Sequence, residues 1–337
     1  MARSDQLKEL FAAYSRADDG SFREVAGRII SDERRRGHRL LASDLEHALN
    51  RDALSMTEGA LSLRPLPKDR DDRPLLTLAK PAHELGDLVL AADTVTAIGE
   101  IVEENRSRSL LASFRLLPRR RLLFIGDPGT GKTASAHAIA AELSLPVASV
   151  ALAALVSSYL GETAKNVESV VQFAELTPCV LVFDEFESVA AERGVGNDHA
   201  ELRRVMATVL QLIEEIGGES VVVATSNHPG LLDSAIWRRF DDVISFSPLN
   251  ITGIEALLRL RLQGAPHRLG LRKWATKLKE FTPAEVELIA LDAQRRWVLS
   301  GAKLLADEHL SAAFERRQRA TPTAQIPNPP TKKANRS

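Results

Sequence analysis

Eight consecutive residues, Gly126-Asp127-Pro128-Gly129-Thr130-Gly131-Lys132-Thr133, settle most of the architecture. They fit G-x-x-x-x-G-K-[ST], after an apolar run (Leu122-Leu123-Phe124-Ile125) and before a helical segment from Ser135 to Leu143. Glycines let backbone N–H groups wrap phosphate oxygens, and the N-terminus of the following helix, opened by Ala134, adds a favourable dipole. Lys132 is spaced to reach the β- and γ-phosphates of a nucleotide, and the Thr133 hydroxyl to ligate Mg²⁺. A strand, this loop and a helix in that order imply a parallel sheet with its site at the strands' carboxyl ends.

A second apolar strand, Val180-Leu181-Val182-Phe183, delivers Asp184 and Glu185 to its carboxyl end, beside the phosphate loop in such a sheet. Asp184 is expected to hold magnesium through water, and Glu185 to polarise an attacking water. Glu187, close by, is given a surface role. Val147 to Leu152 and Val221-Val222-Val223-Ala224 add further near-continuous apolar strands separated by helical segments. The fold class is therefore α/β, a parallel sheet covered on both faces.

A chain of 337 residues has room for about two globular units. Residues 1–52 carry helical spacing (Leu7, Leu10, Phe11, Tyr14; Phe22, Val25, Ile29, Ile30) and read as a small all-helical docking region. Residues 53–84, with Pro65, Pro67, Pro74 and Pro81, read as a linker. The α/β pattern occupies 85–249, residues 250–318 are helical again, and the proline-bearing tail from 319 to 337 has the composition of a disordered segment. A net charge of −1 removes the bulk positive field expected of a nucleic-acid protein. One cysteine, Cys179, excludes a disulfide framework. The charged amino terminus does not read as a signal peptide, and no apolar run approaches the roughly 18 residues of a membrane span. The expectation is a cytoplasmic protein with no membrane partner.

These residues resemble the AAA+ ATPases over roughly 85–318, and the resemblance implies the rest of the site. Phosphate loop and lysine would belong to the family's P-loop large domain, followed by its C-terminal helical lid. Val221 to Asn227 is similar to the strand ending in the sensor-1 residue, here Asn227, whose amide would touch the γ-phosphate or the lytic water. Leu232 to Asp241 is similar to the segment carrying arginine fingers. Arg239 is the favoured finger with Arg238 as helper, and the reverse assignment stays open. A finger acts from a neighbouring subunit, so the resemblance implies a homo-oligomeric ring, a hexamer favoured. Phe281 to Val286 resembles the start of the sensor-2 helix, with Ala284 near the adenine. It departs from the pattern in having no arginine and in placing Pro283 where a glycine is usual. Asp87-Leu88-Val89-Leu90 occupies the stretch that closes over adenine, Leu88 and Val89 providing the apolar contact.

Tyr159-Leu160-Gly161 lies between a strand and the next helix, where it resembles the pore loop with which AAA+ unfoldases grip a polypeptide. An aromatic ring can intercalate between the side chains of an extended chain, and glycine lets the loop move. A tyrosine packed in its own core is the alternative. Residues 193–199, with Gly194 and Gly196, read either as a second pore loop or as plain surface. The expected function is an ATP- and Mg²⁺-dependent ring ATPase that remodels, unfolds or threads a protein client. One alternative is an ATP-dependent switch that controls a partner without threading it. The layout resembles bacterial stand-alone AAA ATPases, and a separate subtilisin-like protease chain would suit such a partner. The other is a nucleic-acid motor or loader, supported only by Arg34-Arg35-Arg36 and Arg119-Arg120-Arg121, which makes nucleic acid the least favoured partner. No H-E-x-x-H occurs, so the chain carries no zincin protease motif.

Overall fold

Strands covered on both faces should be apolar at every position rather than alternating. In the computed structural model, which describes residues 9, 25–32, 65–155, 160–187, 209, 211, 213–232 and 234–320, the two valine-rich runs are such strands, buried along their whole length. The strands are β1 (Leu76–Ala79), β2 (Arg121–Gly126), β3 (Val147–Val150), β4 (Val180–Phe183), β5 (Val221–Ser226) and β6 (Asp242–Phe246). They form a six-stranded sheet in the order β1-β3-β4-β5-β2-β6. All pairs are parallel except β1 with β3, which is antiparallel.

Contacts divide the chain into two compact units. The first comprises Met1–Leu88, Ala92–Asp127 and Lys132–Phe246, and the second Val89–Ala91, Pro128–Gly131 and Ser247–Ser337. The first unit holds the sheet with α1 (Ala92–Arg106), α2 (Arg108–Ser113), α3 (Lys132–Glu142), α4 (Leu152–Leu155), α5 (Leu160–Leu176) and α6 (Ser234–Trp237). Its core joins Leu123, Leu181, Phe183, Val222 and Ala224 of the sheet to Val167, Val170 and Ala174 of α5. The face that α3 buries is made of Ser135, Ala136, Ala138, Ile139 and Ala140. Mostly small residues let a helix lie close to the sheet.

Two local departures from the sequence pattern have simple causes. Leu76–Ala79 falls in the stretch read as a linker, yet it pairs with β3 in register from Leu76↔Val150 to Ala79↔Val147. Prolines flank this short edge strand without interrupting it, and an edge strand needs hydrogen bonds on one side only. The apolar run at 147–152 stops extending at Val150. Ala151 to Leu155 turn into α4, with Ala154 and Leu155 N–H groups donating to the Ala151 carbonyl, as alanine and leucine favour.

The second unit is helical: α7 (Ile251–Leu262), α8 (Leu271–Lys277), α9 (Pro283–Ser300) and α10 (Asp307–Ala320). The ends of α9 follow from its sequence. Thr282 caps it in a reciprocal box with Glu285, Pro283 takes the first turn, and Gly301 leaves it at φ +66°. The core centres on Leu258, Leu262, Trp274, Ile289 and Ala293. The buried Trp274 indole satisfies its N–H on Asp307 Oδ1 at 2.6 Å. Within the docking region, residues 25–32 are helical and bury Val25, Ile29 and Ile30. The arginines at 34–36, the 193–199 segment and the 321–337 tail lie outside the described residues. Among the described residues no helix is long and apolar enough to cross a membrane.

Candidate active site

Parallel strands gather their carboxyl ends on one edge of the sheet, and β2, β4 and β5 all deliver chemistry there. The loop leaving β2 is built on backbone that only glycine adopts freely: Gly126, Gly129 and Gly131 have φ of +148°, +74° and +101°. At Gly126 a Cβ would lie 2.3 Å from the Phe246 carbonyl oxygen of β6, so the adjoining backbone excludes any side chain. Gly126→Ala should therefore cost about 2–4 kcal/mol of stability, from strain and overlap together. A thermal melt checks it; a melting temperature equal to that of the parent protein would mean the loop leaves β2 differently. Residues Pro128–Gly131 count with the helical unit. Within that unit the Ala284 N–H donates to the Gly129 carbonyl at 3.1 Å. A Cβ on Gly129 would meet Ala284 Cβ at 3.0 Å.

Lys132 opens α3 and is only 6% exposed. Its ammonium donates to the carbonyls of Gly126 (2.7 Å) and Asp127 (2.8 Å), so its charge is held inside the loop. Burial lowers its pKa below the ordinary lysine value, opposed by the carboxylates of Glu187, Asp184, Asp127 and Glu185. The next residue, Thr133, donates its hydroxyl toward both Asp184 oxygens, at 3.1 and 3.2 Å. A hydroxyl and a carboxylate brought together this way are hard oxygen donors suited to magnesium shared with phosphate.

The sequence places β4 beside the phosphate loop, but the sheet order sets β5 between β4 and β2. Phe183 of β4 pairs with Ala224, and Phe124 of β2 pairs with Thr225. Thr225, 1% exposed, therefore sits between the two strands that carry the site. Its hydroxyl donates to Asp184 Oδ1 (2.5 Å) and accepts the Glu185 N–H (3.1 Å). Glu185 itself has φ +51°, rare for a residue with a side chain, and its side chain is exposed. The Phe186 N–H then donates to the Thr225 carbonyl at 2.8 Å. The Phe186 ring packs edge-on against Phe183 and Phe240.

Burial overturns the surface role given to Glu187. Residues two apart on an extended strand share a face, so alternation never separated Glu187 from Glu185, and here the strand has already ended at Phe183. Glu187 is 5% exposed, and its Oε1 accepts the Asn227 N–H at 2.7 Å. Its Oε2 is buried with no hydrogen-bond partner among the described residues. Asn227 stands half-buried just past the end of β5, its backbone held by this carboxylate. Nothing local in the residue pattern marks Thr225, and the surface role expected of Glu187 does not hold.

Other expected residues are more scattered. Arg239 is 38% exposed and ion-paired with Glu214 of its own chain, while Arg238 is exposed. Leu88 follows a short 3-10 turn, Leu85–Asp87, and Val89 packs on the helical core of the second unit. Leu160 and Gly161 begin α5. Tyr159, just before them, lies outside the described residues.

The family model for the ATPase family associated with various cellular activities (AAA) matches residues 122–248. That span runs from β2 through β6. An uncharacterized AAA family ATPase of Sinorhizobium fredii is 35% identical over 323 residues, 95% of this chain and 97% of that protein. A proteasome-activating nucleotidase of Methanococcus vannielii is 29% identical over 281 residues, 79% of this chain and 67% of the relative. An ATP-dependent zinc metalloprotease of Sphaerobacter thermophilus is 27% identical over 253 residues, 72% of this chain but only 38% of the protease.

Proposed function

Since the chain belongs to the AAA family of ATPases, we propose that it uses ATP hydrolysis to remodel, unfold or thread a protein client as a homo-oligomeric ring in the cytoplasm. The observation that carries this reading is the likeness, across 79% of the chain, to a protein named for activating the proteasome. The metalloprotease relative is also named for action on proteins, although the matched part is a minority of its length.

In this mechanism the loop from Gly126 to Thr133 binds the phosphates through backbone N–H groups, and Lys132 exchanges two carbonyls for phosphate oxygens. Thr133 and Asp184 would hold Mg²⁺, which when bound neutralises charge on the phosphates. Glu185 accepts a hydrogen bond from the attacking water and orients it toward the γ-phosphorus. The Asn227 amide touches the γ-phosphate or that water. Leu88, Val89 and Ala284 offer apolar contact to the adenine. Arg239 reaches a neighbouring subunit's phosphates, with Arg238 beside it, and to do so it must release Glu214. Six subunits suit such a ring.

Tyr159-Leu160-Gly161 is the proposed client grip. An unfolded polypeptide such as denatured casein should stimulate ATP turnover by the parent protein. Tyr159→Ala should lose that stimulation while hydrolysis without client continues. Stimulation undiminished in the variant would favour a switch that controls a partner without threading it. Stimulation by DNA or RNA instead of casein would favour a nucleic-acid motor.

A further inference from the structure

We propose that Thr225 is a positioning residue for hydrolysis, fixing through one hydroxyl both the Asp184 carboxylate and the backbone of Glu185. The inference rests on the roles given above to those two carboxylates, and it adds a residue that neither the loop nor the carboxylate motif contains.

Strand order gives Thr225 its place. β5 runs between β4 and β2, so any residue at its carboxyl end is within reach of both halves of the site. Thr225 fills that place at 1% exposure, where an unpaired hydroxyl would be costly. It is fully used. Its single hydrogen goes to Asp184 Oδ1, and its oxygen receives the Glu185 N–H. Asp184 also accepts the Thr133 hydroxyl, so its carboxylate is oriented by one donor from α3 and one from β5. Glu185 needs such a fastening because φ +51° is a conformation that a glutamate does not hold unaided. Of the two bonds across this turn, the Phe186 N–H to the Thr225 carbonyl survives any substitution at 225, whereas the Glu185 N–H bond does not. Removing the hydroxyl frees Asp184 on one side and lets the Glu185 backbone relax. The water-orienting carboxylate then moves relative to the phosphates, and misplacement of about 1 Å lowers turnover by as much as roughly 100-fold.

Valine matches threonine in shape and lacks the hydroxyl; serine keeps the hydroxyl and lacks the methyl. Thr225→Val should lower kcat about 10- to 100-fold, while the affinity for a fluorescent ATP analogue stays within roughly threefold. Thr225→Ser should recover most of the turnover. Melting temperatures, and analogue affinity with and without Mg²⁺, are measured on both variants. Turnover of Thr225→Val within threefold of the parent overturns the proposal. So does a Thr225→Ser protein as impaired as Thr225→Val, or a parallel collapse of affinity and melting temperature, since either means the residue serves packing alone. Glu185→Gln is run alongside. If it turns over normally, the carboxylate assignment itself has failed. If it is inactive while Thr225→Val is not, only the role of Thr225 falls.

Discussion

Glu185→Gln keeps ATP bound and reduces its turnover by about two to four orders of magnitude, the range expected when a positioned general base is lost. The amide has the size of the carboxylate, and the bonds that shape this turn are backbone bonds. The residue 185 N–H still donates to Thr225 and the Phe186 N–H still reaches the Thr225 carbonyl. Phe186 remains packed between Phe183 and Phe240. The side chain itself is exposed, so the change leaves no buried group without a partner. What disappears is a negative acceptor able to take a proton from water. Single-turnover hydrolysis of labelled ATP, together with retention of the label on the protein, separates binding from chemistry. Normal turnover would remove Glu185 from the mechanism.

Lys132→Ala acts one step earlier and should abolish binding rather than chemistry. Its ammonium is buried, donates to the loop carbonyls of Gly126 and Asp127, and is the cation nearest to hand for incoming phosphate in this loop. Truncation removes a charge-assisted contact and leaves two carbonyls and the neighbouring carboxylates uncompensated. We expect ATP affinity to fall by about 100-fold or more, roughly 2.7 kcal/mol at least. Ligand-induced stabilisation reports it directly, since saturating ATP raises the melting temperature only of a protein that binds it. A melt that ATP raises equally in parent and variant would contradict the assignment.

Much of this site could be read from contiguous residues, and the reason is geometric. A phosphate loop is made by backbone between one strand and one helix, so its glycines, lysine and threonine must be neighbours in sequence. The paired carboxylates at the end of β4 are legible for the same reason. Thr225 was not, because its role depends on β5 lying between β4 and β2, and strand order is set by the whole sheet rather than by any local run. Glu187 was misjudged because its burial depends on the turn at φ +51° after the end of β4 and on the Asn227 backbone, neither of them visible in a strand pattern. The pairing of Arg239 with Glu214 was equally invisible, joining residues on separate elements. The edge strand at Leu76–Ala79 hid among prolines that normally announce a linker. In each case what escaped was a contact between distant segments, and what was found was local.

In the proposed function ATP is used on a protein held by the ring. Its most direct test is to express tagged Glu185→Gln in the native cell, isolate it with ATP and Mg²⁺, and identify what survives washing, with Lys132→Ala as the control that cannot load nucleotide. A specific set of proteins should be retained by the first variant, absent from the second, and released when ATP is withdrawn. Retention of nucleic acid that nuclease removes, or a trap holding nothing that the control lacks, would contradict it.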